Sequence, residues 1–437
     1  MQRSNIWYHL YPLGFLGAEE RNPAPGAEDA SESGRLRDLV GWLDYLVDLG
    51  VTAVLLGPVF ESESHGYDIV DPFRIDRRLG NEQDLTQFID ACHQRSLQVG
   101  LDVVFNHVGR GHPFFVDVQQ RKQESDRCGW FHIDFDQPGY DGFSYANFEG
   151  HGGLVTLNHS NPQVLDWAVD VARHWMQRGV DAFRLDAAYA ISTDFLAAFS
   201  DRVRADKPDV TLIGEVIHGD YTATVQASHL TTVTQYELWK AIWSSLNDRN
   251  FYELAHALQR HAEFCEHFAP WTFVGNHDTT RIATKLTDSR LVPHALAILF
   301  SIPGMPAVYA GDEQGAEGTK YDREGGDAEI RRPLPHAPAD FPGDSLPLWR
   351  LHRELIAVRR ERPWLEQAEL HVTSLDNRAI TLEMRSPSGT LVVALNTDDQ
   401  PAPCNIPAGL APAAGHAVTA PGATELPPRE WGIWSST

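Results

Sequence analysis

The stretch GVDAFRLDAAYAI, residues 179–191, carries an arginine and an aspartate two positions apart inside a run otherwise built like a buried β-strand. Side chains alternate faces along a strand, so Ala182, Arg184 and Asp186 share one face, and Phe183 and Leu185 the other. One face is apolar and the other charged, in a segment too hydrophobic for a surface strand. Burying an ion without a partner is strongly unfavourable. The pair is therefore either a satisfied structural ion pair or part of an active site, since both give this pattern.

The surrounding chain decides the fold class. Short apolar runs recur along its first three-quarters: IWYHLYPLGF, VTAVLLGPVF, LQVGLDVVFNHV, VDAFRLDAA, VTLIGEVI, TTVTQYE, WTFVGNHD and MPAVYAGDE. Amphipathic segments such as LRDLVGWLDYLVDLG and NPQVLDWAVDVARHWMQRG separate most of them. Strands alternating with helices, apolar along their whole length, predict a buried parallel sheet closed as a (β/α)8 TIM barrel. The competing open, doubly wound sheet is disfavoured because no glycine-rich phosphate-binding loop follows the first strand. The connection after strand three is long and rich in Gly, His, Asp and aromatics. It predicts a small inserted domain over 109–160, with the barrel occupying 1–108 and 161–362. Beyond LWRLHRELIAVRRERPWL the texture changes to alternating apolar and polar residues around turns such as Ser-Pro-Ser-Gly. That predicts an antiparallel β-sandwich domain over 363–437. Residues 21–34 read as a polar surface loop.

Composition limits the partners. The chain has 437 residues, 42% of them hydrophobic and 22% charged, as in ordinary soluble globular proteins. Its 36 basic and 60 acidic residues leave a net charge of −24. That sign argues against nucleic acid and anionic membranes as partners and suits a neutral substrate. Cys92, Cys128, Cys265 and Cys404 show no short paired spacing, so neither a zinc site nor a disulfide framework is expected. With no secretory leader evident and no apolar run of about 18 residues, a cytoplasmic location is the expectation.

Catalytic groups in such barrels come from the C-terminal ends of several strands. Strand three ends in Asn106 and His107, and strand four in Arg184 and Asp186. Strand five places Glu215 after an apolar lead-in, and strand seven ends in His277 and Asp278. Three carboxylates with an arginine and two histidines thus converge on one mouth. The arrangement suits glycoside hydrolysis, in which one carboxylate stays ionised and another carries a proton for the leaving oxygen. A neighbouring arginine would hold Asp186 ionised, and the apolar run around Glu215 would disfavour its charged form. Metal-assisted hydrolysis is the chemical runner-up, opposed by the positive charge of Arg184 beside Asp186.

Four segments make the assignment specific. DVVFNH (102–107), AFRLDAA (182–188), GEVI (214–217) and FVGNHD (273–278) resemble, in order, the four signature segments of the α-amylase family of glycoside hydrolases. The resemblance spans residues 1 to 362 and implies a retaining α-glycosidase. It implies that Asp186 is the nucleophile, Glu215 the acid/base and Asp278 the third carboxylate gripping sugar hydroxyls. Arg184, His107 and His277 match residues around the attacked sugar, and Tyr67 matches an aromatic that stacks on its ring. Asp68, beside Tyr67, belongs to the same GYD element. Asp102 is expected to be a buried hydrogen-bond partner. No cofactor is required; Asn106 matches a calcium ligand of many amylases, but Thr156 stands where relatives usually carry an aspartate. The insertion aromatics Phe114, Phe115, Trp130, Phe131, Tyr140, Phe143 and Tyr145 serve either as sugar platforms or as its core.

Departures from the family pattern narrow the substrate. The Lys-His pair that follows the nucleophile in starch amylases is Tyr189-Ala190 here. Ser64 stands where exo-acting α-glucosidases usually carry an aspartate. SHGYDIVDPFRIDRRLG (64–80), GGDAEIRRPLP (325–335) and the segment 236–261 resemble instead the intracellular cyclomaltodextrinase and neopullulanase group. That group implies a homodimer, but it generally has an N-terminal β domain, whereas this sequence starts on strand one. Its usual Trp-His after the acid/base is Ile217-His218 here, with His218 on the acceptor side. The expectation is an endo-acting hydrolase of small, including cyclic, maltooligosaccharides with α-1,4 and α-1,6 bonds. A maltogenic amylase acting on linear chains and a transglycosylase are the alternatives; a non-enzymatic sugar-binding barrel is disfavoured by the intact carboxylates.

Overall fold

The computed structural model describes residues 5–22, 33–323, 325–335, 340, 346–415 and 420–436. Of the stretch 21–34 expected to be a polar loop, residues 23–32 lie outside the described residues. Each of the eight apolar runs contributes one parallel strand. These are β1 (Trp7–Leu10), β2 (Ala53–Leu56), β3 (Gln98–Val104), β4 (Ala182–Asp186), β5 (Thr211–Gly214), β6 (Thr232–Val233), β7 (Trp271–Phe273) and β8 (Met305–Tyr309). Neighbours follow the chain from β6 back to β1, then β8 and β7. A parallel bridge between Thr234 and Trp271 joins the two ends, so the sheet closes into a barrel.

The two faces of β4 separate as the alternation requires. Ala182 points into the barrel, where Trp7, Leu55, Ile213, Trp271 and Met305 pack as a distinct interior core. Phe183 and Leu185 join the layer between sheet and helices. Gly100 on β3 lies opposite Ala182; a Cβ there would sit 3.1 Å from both Trp7 and Leu55. Glycine thus leaves room for the indole that fills the barrel floor.

The helices form where apolar residues recur every three or four positions. In Pro162–Met176, Val164, Trp167, Ala168, Val171, Ala172 and Trp175 make the buried stripe. The Asn161 side chain caps this helix by accepting the Gln163 N–H at 3.0 Å, with proline at the first turn.

Between β3 and β4 the chain leaves the barrel. Strands His107–Gly109, Asn147–Phe148 and His151–Thr156 form a small antiparallel sheet beside the helix Pro113–Arg121. Phe115, Trp130, Phe131 and Phe143 are buried, with the Phe115 and Phe131 rings 5.3 Å apart edge to face. The insertion's aromatics therefore build its core, apart from Tyr140, which is 91% exposed. After the helix Leu346–Arg360, strands β9 (Glu369–Leu375), β10 (Ala379–Ser386), β11 (Gly389–Asn396), β12 (Ala411–Gly415) and β13 (Trp431–Ser435) form an antiparallel sheet ordered 9-10-11-13-12. Its faces alternate: Leu391, Val393 and Leu395 join the main core, while Ala394 and Trp434 pack with Cys404, Ile406 and Leu426 beneath a two-stranded second layer. All four cysteines are free thiols. Among the described residues no helix is long and apolar enough to cross a membrane.

Candidate active site

At the C-terminal rim of the barrel, one guanidinium organises four carboxyl groups. Arg184 Nη1 lies 2.6 Å from Asp102 Oδ2 and 3.4 Å from Asp186 Oδ1. Its Nη2 lies 2.9 Å from Glu215 Oε1 and 3.9 Å from Asp278 Oδ2. The strand registers explain this: Arg184 pairs with Asp102 on β3, and β5 beside it delivers Glu215. Arg184 is 3% exposed, so these charges interact in a poorly screened interior.

This geometry corrects one expectation. Arg184 is not dedicated to holding Asp186 ionised, because its shortest contacts go to Asp102 and Glu215. Burial first, and then the Glu215 charge, push the Asp186 acid well above the usual carboxyl range, with Arg184 pulling against them. The apolar surroundings expected for Glu215 are corrected as well. Glu215 Oε2 accepts the Ala187 N–H at 2.8 Å, and Oε1 faces Arg184 and the Tyr236 hydroxyl, the latter at 3.4 Å. Ala187 donates from a left-handed backbone at φ 47°, a strained conformation for a residue with a Cβ. Asp102, completely buried, accepts from Arg184 and from the Tyr67 hydroxyl at 3.2 Å, and burial lifts its acid to about 6.

Asp278 behaves in the opposite sense. Burial would raise its acid, but His277, Arg331 and Arg184 together hold it well below the usual range. The His277 Nε2 lies 3.0 Å from Asp278 Oδ2, and Arg331 Nη2 lies 2.7 Å from Oδ1. Arg331 Nε also donates to the His277 carbonyl at 2.9 Å, which locks the loop after β7. The Tyr67 hydroxyl meets His277 Nε2, and the two rings stack 5.7 Å apart. Gly66 makes that reach possible: at φ +89° it carries no Cβ, which would come within 2.5 Å of Pro58. Burial lowers His277 well below the ordinary imidazole value, against the pull of Asp278, and takes His107 to about 3, so the His107 ring is neutral.

The remaining expected residues divide. His107 is buried, stacks on Phe148 at 4.8 Å, and leaves its Nε2 without a hydrogen-bond partner. Asn106 turns its amide toward His107 Nδ1, 3.1 Å away. Asp68 is buried and accepts the Ser64 hydroxyl at 2.5 Å rather than reaching the carboxyl cluster. His218 is exposed, with no contact to that cluster among the described residues. No group of three or more His, Cys, Asp or Glu side chains among the described residues is arranged to hold a metal ion. Sequence reasoning missed Arg331, Tyr236, Asn276 and Phe148. Arg331 lay inside the quoted GGDAEIRRPLP segment, but nothing local tied it to Asp278, 53 positions away.

A family model for the alpha amylase catalytic domain matches residues 11–340. A cyclomaltodextrinase of Geobacillus thermopakistaniensis is 29% identical over 93% of this chain and 71% of its own length. An intracellular maltogenic amylase of Bacillus subtilis is 30% identical over 72% of this chain. That match spans 56% of the relative's length. Among solved structures, a cyclic α-maltosyl-(1→6)-maltose hydrolase of Arthrobacter globiformis superposes with a TM-score of 0.83. It is 25% identical, with 99% of each chain covered.

Proposed function

Because the chain belongs to the α-amylase family, we propose that it is a retaining, endo-acting hydrolase of small α-glucans. Its substrates are cyclic and short maltooligosaccharides containing α-1,4 and α-1,6 bonds. The observation that carries this reading is Arg184, one buried cation shared by carboxyls from β3, β4, β5 and the loop after β7. Two supports narrow the substrate. One solved neighbour that matches end to end is named for a cyclic maltosyl-maltose, and the Geobacillus relative is a cyclomaltodextrinase. We take residues 109–160 as the insertion over the cleft and 363–437 as the separate β unit. The Bacillus relative's description as intracellular supports a cytoplasmic setting.

In the mechanism, Asp186 attacks the anomeric carbon while Glu215 gives its proton to the departing glycosidic oxygen, leaving a glycosyl ester on Asp186. Glu215, now ionised, takes a proton from water, whose oxygen displaces Asp186 and restores the starting configuration. The reacting form carries the proton on Glu215 and leaves Asp186 charged. Arg184 touches both groups, so it stabilises whichever carboxylate is ionised at each stage. Asp278, kept ionised by its neighbours, accepts hydrogen bonds from sugar hydroxyls. Tyr67 stacks on the ring, and His107 offers its free Nε2 to a hydroxyl.

The test is a product time course on cyclodextrins, linear maltooligosaccharides, panose, pullulan and soluble starch, with NMR of the first-formed anomer. Rapid opening of cyclic or α-1,6-containing sugars to α-anomers, with starch nearly untouched, supports the reading. Faster attack on starch would replace it with a linear-chain amylase. Longer products built from added acceptors would make the protein a transglycosylase. First-formed β-anomers would refute retention.

A further inference from the structure

The Tyr236 hydroxyl is a buried polar group that the mechanism above leaves unused. Tyr236 opens the helix Tyr236–Asp248, directly after β6. The helix start is pinned to β7, because the Gln235 N–H donates to the Trp271 carbonyl at 2.9 Å. The Tyr236 ring packs edge to face on Phe273, with centroids 4.9 Å apart. Its hydroxyl is thereby held 3.4 Å from Glu215 Oε1.

The hydrogen-bond directions around that hydroxyl are determined. Asn276 Oδ1 accepts the Asp278 N–H at 2.9 Å, so the amide nitrogen of Asn276 faces the other way. That nitrogen donates to the Tyr236 oxygen at 2.8 Å. With its oxygen accepting from Asn276, the phenol points its own proton at Glu215. Burial raises the Tyr236 phenol well above its ordinary value, so it keeps this proton. The chain Asp278–Asn276–Tyr236–Glu215 couples the loop after β7 to the end of β5.

We propose that Tyr236 is a positioning residue for proton transfer at Glu215, its hydroxyl stabilising the carboxylate that forms when the leaving group takes the proton. The proposal rests on the reading of Glu215 as the acid/base. Tyr236 itself transfers no proton. Its contribution appears only when the leaving group requires protonation, because an anion that departs unaided does not draw on Glu215 in that step.

The experiment compares maltotriose, whose leaving sugar must be protonated, with α-maltosyl fluoride, whose fluoride needs little help. In Tyr236→Phe, kcat on maltotriose falls about tenfold, the low end for a hydrogen bond to a charged group. Turnover of the fluoride changes less than about twofold, and KM for both stays near the wild-type value. Equal losses on the two substrates, or no loss on maltotriose, would overturn the proposal. Glu215→Ala is the control for the underlying reading: it must lose kcat/KM on maltotriose far more than kcat/KM on the fluoride, because kcat/KM covers the steps up to the glycosyl ester and omits the later one in which Glu215 acts on water. If it does and Tyr236→Phe shows no bias, only the role of Tyr236 fails; if it does not, the acid assignment fails and this proposal with it. Should the phenylalanine variant be insoluble, 3-fluorotyrosine at position 236 gives a stronger donor. Its expected effect is a maltotriose-to-fluoride rate ratio above wild type, and an unchanged or lower ratio would overturn the proposal.

Discussion

Replacing Arg184 by methionine keeps a long side chain in the barrel mouth and removes the cation that four carboxyl groups share, at 2.6, 2.9, 3.4 and 3.9 Å. Deleting one partner of a buried ion pair costs about 3–5 kcal/mol, because the remaining charge stays uncompensated. Here the carboxyls can limit that cost by binding protons. Burial already lifts the Asp102 acid to about 6, and Arg184 is the largest influence lowering it. Without Arg184 both Asp102 and Asp186 rise further. A carboxyl raised above its unfolded value binds a proton in the folded state first, so its stabilising effect is present at low pH and lost as pH rises. Each such group changes stability by about 1.4 kcal/mol per pH unit between its two values. The deficit of Arg184→Met is therefore largest near pH 8 and shrinks toward pH 5. Unfolding entropy of ~2.1 cal/mol/K per residue gives about 0.9 kcal/mol/K over 437 residues, so the pH 8 deficit is about 3–5 °C in Tm. Calorimetric melts of wild type and variant at pH 5 and pH 8 measure it. Arg184→Lys retains a charge but not the planar fork, and is expected to melt between the two while remaining inactive. A variant as stable as wild type at pH 8, or one worse off at pH 5, would refute the shared-cation argument.

The catalytic assignments predict that Glu215→Gln lowers kcat on maltotriose by about 10²–10⁴, the usual contribution of a general acid. Asp186→Asn is expected to lose at least as much, with its Tm little changed; retained turnover in steady-state assays would sink the nucleophile role. Arg331→Met frees Asp278 Oδ1 from its 2.7 Å contact and should cut kcat/KM about tenfold while the protein stays folded by circular dichroism. Acid stability follows from the buried imidazoles. His107 is lowered to about 3, and His261, His294 and His352 to about 4, each mainly by burial. They charge in the unfolded chain below about 6.5 but stay neutral when folded, so each removes stability as pH falls from 6.5 toward 4. Asp312 at about 6 and Glu313 at about 7 oppose this fall; because His352 contributes to it, His352→Gln should flatten the fall of Tm between pH 6.5 and 5 in calorimetric melts.

The eight strands, their order and the residues at their ends were legible in the sequence because each depends on local pattern. Period-two alternation placed Ala182, Arg184 and Asp186 on one face, and the apolar runs marked strands covered on both sides. The same locality explains what was misread. From GEVI alone Glu215 seemed to sit in apolar surroundings, yet its carboxyl receives Ala187, Arg184 and Tyr236, all three from other elements. His218 and Asp68 were drawn in by motif position, but a residue just outside a strand can turn either way. His218 points to solvent and Asp68 toward Ser64.

By itself the sequence determined the alternating βα architecture, the set of charged residues at the strand ends and the family they match. Those follow from periodicity and spacing along the chain. Only the tertiary structure decided that Arg184 serves Asp102 and Glu215 before Asp186, that Arg331 grips Asp278, and that Tyr236 aims its proton at Glu215. Such contacts arise from barrel closure, which sets β7 beside β6 and brings residues tens of positions apart into one dry mouth. Burial there makes each charge answer to its spatial neighbours rather than its sequence neighbours.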